Sequence, residues 1–210
     1  MNRDRPSSIS FNSRRKEEVK ALKIILLGEP GVGKTNIISR YLTNTFNENL
    51  NPTIGSIFGE RNIAKDGVIY SLKIWDTTGQ EKYNSITKLF VKGSQIVVLV
   101  YSIDDLQSFQ KLDFWLNYIN QELEEGKYIL GILGNKRDLY ESELVSEEDG
   151  KKFAKKMNAI FSLVSAKIDQ NLIAKFFETL LDEFINKFGI NFNDTTYRLD
   201  DTEIENKKCC

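Results

Sequence analysis

The chain has 210 residues, a formal net charge of -1, a sequence pI near 5.8, and 40% hydrophobic and 28% charged residues. That suits one globular domain with a substantial core and argues against nucleic acid as the main ligand, because phosphate-backbone binding needs a basic surface. No histidine occurs, which excludes imidazole catalysis, His-ligated zinc and His-based pH switching.

Residues 1–18 are polar and Arg/Ser-rich without an apolar run, so they read as a flexible extension rather than a secretory signal. Asn2 stands where the usual myristoylation signal needs glycine. From Val19 onward, strand-like and helix-like segments alternate. Leu22–Leu27 is an aliphatic run bounded by Gly28 and Pro30, the pattern of a buried strand.

Gly28-Glu29-Pro30-Gly31-Val32-Gly33-Lys34-Thr35 follows, in the pattern G-x-x-x-x-G-K-[ST]. Its glycines allow backbone N–H groups to surround phosphate oxygens, and the next helix adds the positive end of its dipole. Lys34 is placed to reach β- and γ-phosphates and the Thr35 hydroxyl to ligate Mg²⁺. Alone, this loop suits an ATPase or a small-molecule kinase as well as a GTPase.

Ile37, Ile38, Tyr41 and Leu42 give a helical stripe. Asn51-Pro52-Thr53-Ile54-Gly55 lies in the polar stretch after it, where Thr53 would complete a Mg²⁺ shell. Ile57–Ala64 and Val68–Trp75 flank Asp66-Gly67, a hairpin signal. Trp75-Asp76-Thr77-Thr78-Gly79-Gln80-Glu81 closes the hairpin. Asp76 suits Mg²⁺ through water, the Gly79 N–H a γ-phosphate, and Gln80 the orientation of an attacking water. Ile96–Tyr101 reads as a strand, and Phe109, Leu112, Leu116, Ile119 and Leu123 mark one amphipathic helix.

Tyr128–Leu133 reads as a strand, followed by Asn135-Lys136-Arg137-Asp138 at the sheet edge where ligands sit. A carboxylate there accepts from guanine N1–H and the 2-amino group, and adenine offers neither donor. Glu147–Lys156 reads as a helix capped by Ser146, and Ile160–Val164 as the last strand. After it, Ser165-Ala166-Lys167 offers a backbone N–H for guanine O6 and a side chain to cover the base. Leu172, Ile173, Phe176, Phe177, Leu180, Leu181, Phe184 and Ile185 give a closing helix, ended by Gly189. Residues 190–210 lack periodicity and read as a mobile tail. The pattern implies an α/β fold with a mostly parallel sheet covered on both faces.

The two cysteines, Cys209 and Cys210, are adjacent and terminal, so no disulfide framework follows and a reducing compartment fits. No apolar run approaches the roughly 20 residues that span a bilayer.

These motifs, in this order, resemble those of the Ras-like small GTPases, and most closely the Rab family, over roughly residues 20–188. Ile54-Gly55-Ser56-Ile57-Phe58, the run from Trp75 to Tyr83 and the terminal Cys209-Cys210 carry the Rab likeness. The resemblance implies a P-loop NTPase fold: a mostly parallel six-stranded sheet with one antiparallel edge hairpin strand. It implies a GTPase domain at 19–189 and a hypervariable prenylated tail at 190–210. GTP or GDP would contact residues 28–36, including Asn36, with Phe46, Thr53, Gly79, Asn135, Lys136, Asp138, Ser165, Ala166 and Lys167. Mg²⁺ would be held by Thr35, Thr53 and, through water, Asp76. Lys34 and Gln80 would be catalytic. Phe58, Trp75 and Phe90 would face effectors, plain core packing being the alternative. Cys209 and Cys210 would carry geranylgeranyl chains.

The implied partners are an exchange factor, a GTPase-activating protein, a GDP-dissociation inhibitor and effectors, with no nucleic acid. A monomer on the cytoplasmic face of an intracellular membrane, cycling with cytosol to regulate vesicle trafficking, is expected. Several residues depart from the family pattern. Thr78 replaces an alanine, Pro30 a small residue beside the γ-phosphate, Ile57 an aspartate, and Phe90-Val91-Lys92-Gly93-Ser94 the usual Tyr-Tyr-Arg-Gly-Ala. Thr78 and Pro30 leave open a GTP-loaded scaffold with impaired hydrolysis.

Overall fold

The computed structural model describes residues 19–51, 58–77 and 84–189, the last from the backbone alone at 84–87. In chain order the elements are β1 (Val19–Leu27), α1 (Lys34–Thr43), β2 (Phe58–Lys65), β3 (Val68–Trp75), α2 (Asn84–Val91) and β4 (Ile96–Ser102). Then come α3 (Leu106–Gln110), α4 (Leu112–Glu122), β5 (Ile129–Asn135), a 3₁₀ turn (Arg137–Ser142), α5 (Glu147–Lys156), β6 (Ile160–Leu163) and α6 (Gln170–Phe188). Among the described residues the strands form one six-stranded sheet ordered β2-β3-β1-β4-β5-β6. Only the edge pair β2–β3 is antiparallel, as the Asp66-Gly67 hairpin requires.

Alternation along the strands builds two cores. Leu22, Ile24 and Leu26 of β1 and Ile96, Val98 and Val100 of β4 face α1 and α6, where Ile37, Tyr41, Phe177 and Leu181 meet them. Ile25 and Leu27, with Val97, Leu99 and Tyr101, face the other side, covered by Trp115 and Ile119 of α4 and Ala154 of α5. Strands buried on both faces read as continuous apolar runs, which is why β1 and β4 were legible.

Some boundaries differ from the sequence reading. β1 begins at Val19, and β5 runs on to Asn135, which pairs with Ser102 of β4. The stripe Phe109–Leu123 is not one helix but α3 and α4, stepped at Lys111. The Asp105 carboxylate caps α3 by accepting from the N–H groups of Gln107 and Ser108 at 3.0 and 3.2 Å. The Ser108 hydroxyl, fully buried, accepts from the Ser102 N–H at 3.0 Å. Those anchors hold the first turn against β4. Helix α2 was not anticipated. The termini 1–18 and 190–210 lie outside the described residues.

Sheet order places the loop after β1 between β3 on one side and β4 on the other. Chain connections leave β1 in opposite directions there, the topological position at which such sheets bind ligands.

Candidate functional site

The loop between β1 and α1 owes its shape to glycines in left-handed conformations, with φ of 145° at Gly28, 79° at Gly31 and 94° at Gly33. A Cβ at Gly28 would lie 2.1 Å from the Val100 carbonyl oxygen, and one at Gly33 would lie 2.4 Å from Asn135 Nδ2. Both positions therefore need glycine for space as well as for φ. Val32 is buried beneath the loop, whereas Pro30 is exposed. Gly33 caps α1 without a side-chain acceptor, which leaves the positive end of the helix dipole to the loop.

Lys34 is almost completely buried, and its ammonium donates to the carbonyl oxygens of Gly28 at 2.8 Å and Glu29 at 2.9 Å. Burial lowers its pKa to about 8, partly offset by the carboxylates of Asp76 and Glu29. The Glu29 carboxylate accepts from Trp115 Nε1 of α4 at 3.1 Å. Beside the lysine, Thr35 Oγ1 donates to Asp76 Oδ2 at 2.6 Å, and Asp76 is fully buried. The next residue, Thr77, donates to the Leu26 carbonyl oxygen at 2.8 Å, fastening the end of β3 to β1. A hydroxyl and a carboxylate at the mouth of a phosphate-type loop form a hard-oxygen pair, the donor set Mg²⁺ takes when phosphates and waters complete its shell. Thr53, Thr78, Gly79 and Gln80 lie outside the described residues, as do Cys209 and Cys210.

At the other end, Asn135 is buried, and its two side-chain atoms go to two different loops. Nδ2 donates to the Val32 carbonyl oxygen at 2.7 Å, and Oδ1 accepts the Ala166 N–H at 3.0 Å. Read from sequence as part of the base reader, Asn135 also girds the site. Lys136 follows in the left-handed conformation, φ 64°, with its ammonium 3.6 Å from the Asp104 carboxylate. Asp138 Oδ1 accepts from the Ser165 hydroxyl, and the same Ser165 oxygen accepts the Lys167 N–H at 3.1 Å. Lys167 also pairs with Glu48 at 3.2 Å across the chain.

Asn36 exchanges two hydrogen bonds with the Asn47 backbone, at 2.9 and 3.1 Å, which fixes the segment after α1. Phe46 in that segment is partly buried against the α1–α6 core. Phe58, Trp75 and Phe90 pack in a row of tilted rings, both ring separations being 5.1 Å. Phe58 is 47% exposed while Trp75 and Phe90 rest partly on the α4 core, so the row is both packing and surface.

Sequence reasoning missed several residues that hold these loops. Arg40 of α1 donates to the carbonyl oxygens of Ala166 at 2.8 Å and Lys167 at 2.9 Å. Asp169 accepts the Ser165 N–H at 2.7 Å and pairs through both oxygens with Arg137. Arg40 and Arg137 lie 126 and 32 residues from the partners they hold, and no local pattern announces those pairings.

A family model described as Ras family matches residues 23–186. The chain is similar to the Ras-related protein RabC of Dictyostelium discoideum, 38% identical over 80% of this chain and 85% of that protein. It is likewise similar to Rab-17 of Mus musculus, 35% identical over 80% of this chain and 77% of that protein. Rab-18 of Lymnaea stagnalis is 36% identical, covering 83% and 85% respectively.

Proposed function

The chain belongs to the Ras family, among its Rab proteins, and we propose that it is a Mg²⁺-dependent guanine-nucleotide switch regulating intracellular membrane trafficking. Members of this family are GTP hydrolases, and this chain is one. The observation that carries the proposal is the Asn135 side chain, bonded at once to Val32 of the phosphate loop and Ala166 of the last turn. A phosphate end and a base end share one rigid piece, so a single nucleotide can bridge them.

In this reading residues 28–36 hold the phosphates, with Lys34 countering charge that develops on the β- and γ-phosphates. Thr35, Thr53 and, through water, Asp76 would hold Mg²⁺, and Gly79 and Gln80 would serve the γ-phosphate and the attacking water. Asn135, Lys136, Asp138, Ser165, Ala166 and Lys167 hold guanine, with Phe46 beside the ring. Loops ordered by the γ-phosphate and released on hydrolysis provide the switch. Phe58, Trp75 and Phe90 present it to effectors. Among the described residues there is no inserted domain to supply an arginine in cis, so an activating protein supplies one in trans. Geranylgeranyl chains on Cys209 and Cys210 anchor the tail, the two lipids giving the stable attachment that one does not. An exchange factor and a GDP-dissociation inhibitor complete the cycle between membrane and cytosol.

Chromatography of nucleotide extracted from the purified chain tests the central claim. GDP or GTP is expected; an adenine nucleotide would overturn it. Single-turnover hydrolysis then tests Gln80, whose role is rejected if Gln80→Leu keeps the wild-type rate.

A second reading, a GTP-loaded scaffold with impaired hydrolysis, is favoured by Pro30, a fixed-φ residue exposed in the phosphate loop, and by Thr78. Thr78→Ala speeds hydrolysis if the hydroxyl is inhibitory. An unchanged rate removes that argument.

A further inference from the structure

Within the 135–138 run, Arg137 has no part assigned in holding the base, and its ion pair with Asp169 ties the turn after β5 to the turn after β6. Asp169 is only 8% exposed, and its carboxylate does two things. It accepts the Ser165 N–H at 2.7 Å, closing the 165–169 turn together with the bond from Asp169 N–H to the Ser165 carbonyl oxygen at 2.8 Å. It also accepts Nε and Nη2 of Arg137, which approach side by side. A planar guanidinium meeting a carboxylate through two parallel bonds is among the stronger and more directional polar contacts.

The pair stands behind the residues assigned to guanine. Arg137 lies between Lys136 and Asp138, and its backbone N–H donates to the Val164 carbonyl oxygen at 3.1 Å. Ser165 is held at its N–H by Asp169, and its hydroxyl donates to Asp138. The order of dependence is therefore Arg137 on Asp169, Asp169 on Ser165, and Ser165 on the carboxylate that faces the base. The Arg137 side chain is 41% exposed, so this outer member can leave without opening the core.

We propose that the Arg137–Asp169 ion pair is a latch on the guanine pocket that sets the rate of nucleotide release. Both are positioning residues, acting through Ser165 on Asp138, and the inference rests on the guanine-binding reading above. Loss of one charge-assisted, partly exposed contact corresponds to about a tenfold change in rate.

The test uses the full chain loaded with Mg²⁺ and labelled GDP, chased with excess unlabelled GDP. Arg137→Ala and Asp169→Asn are each expected to speed release about tenfold, and the double variant no more than either alone. Arg137→Lys, which keeps the charge but not the fork, restores part of the effect. Labelled inosine diphosphate, lacking the 2-amino group that Asp138 receives, is expected to respond less than GDP. The latch is overturned by any of three results: Arg137→Ala release within twofold of wild type, additive single effects, or equal acceleration of GDP and inosine diphosphate. Should Asp169→Asn fold poorly, Arg137→Ala and Arg137→Lys decide alone. A chain that retains no guanine nucleotide rejects the functional reading itself, whereas tight retention with unchanged release rejects only the latch.

Discussion

Asn135 Nδ2 donates to the Val32 carbonyl oxygen at 2.7 Å while its Oδ1 receives the Ala166 N–H at 3.0 Å. One buried amide thus spans from the loop after β1 to the turn after β6, through a residue that ends β5. Asn135→Ala would strand a buried carbonyl and a buried N–H, each costing roughly 1–3 kcal/mol. Urea unfolding should show a loss of about 2–6 kcal/mol, together with loss of nucleotide binding. Asn135→Asp, isosteric yet unable to donate to Val32, should fail nearly as badly; near-native stability in it would remove the girder role.

Gly28→Ala tests the close approach of the phosphate loop to β4. The added Cβ would meet the Val100 carbonyl oxygen at 2.1 Å, at a φ of 145° that L side chains rarely adopt. Overpacking against rigid backbone costs about 2–3 kcal/mol, so the thermal midpoint should fall by several degrees. Gly31→Ala meets nothing within 4 Å and should lose only the smaller penalty of its φ of 79°. Equal destabilisation of the two would contradict the packing argument.

Lys34 carries a pH signature. Burial brings its pKa down to about 8, from an ordinary value of 10.5. In a base lowered by folding, the unfolded chain binds more protons between those two values. Stability without nucleotide therefore rises as pH climbs from about 8 towards 10.5. A nucleotide phosphate at Lys34 acts in the opposite sense, because an anion favours the ammonium. Binding GDP near pH 8 should take up a proton, and affinity should weaken as pH rises further. Calorimetry in two buffers of unlike ionisation enthalpy measures that uptake, and identical apparent enthalpies would refute it.

The aromatic row separates surface from support. Phe58 is 47% exposed and leans on Trp75 at 5.1 Å, whereas Trp75 is flanked by Phe58 and Phe90. Phe58→Ala should cost less than about 1 kcal/mol of stability yet weaken binding of a GTP-state partner. Trp75→Ala, losing contacts on both faces, should cost about 2 kcal/mol or more. If Phe58→Ala destabilised as much as Trp75→Ala, the row would be core alone.

What the sequence showed directly was local. Ile24–Leu27 and Ile96–Tyr101 are apolar runs because strands buried on two faces need no alternation. Asp66-Gly67 forces the hairpin through its backbone, with φ of 51° and 77°. Ser146 caps α5 by accepting from the Asp149 N–H at 3.1 Å, as its spacing implied. The step at Lys111 was invisible because the apolar stripe continues across it. Lys111 itself stays right-handed helical, and its N–H still reaches the Gln107 carbonyl oxygen at 3.0 Å.

The sequence by itself determined that this chain has a glycine loop running into a helix, a Thr35 and an Asp76 with oxygen donors, and a carboxylate at Asp138. Those follow from backbone conformation and residue chemistry within a few positions, so short motifs suffice. Tertiary structure alone decided that Asn135 joins Val32 to Ala166, that Arg40 grips the last turn, and that Asp169 meets Arg137. Such contacts depend on sheet order, which brings the ends of β1, β5 and β6 to one edge from positions 31 to 126 residues apart in the chain.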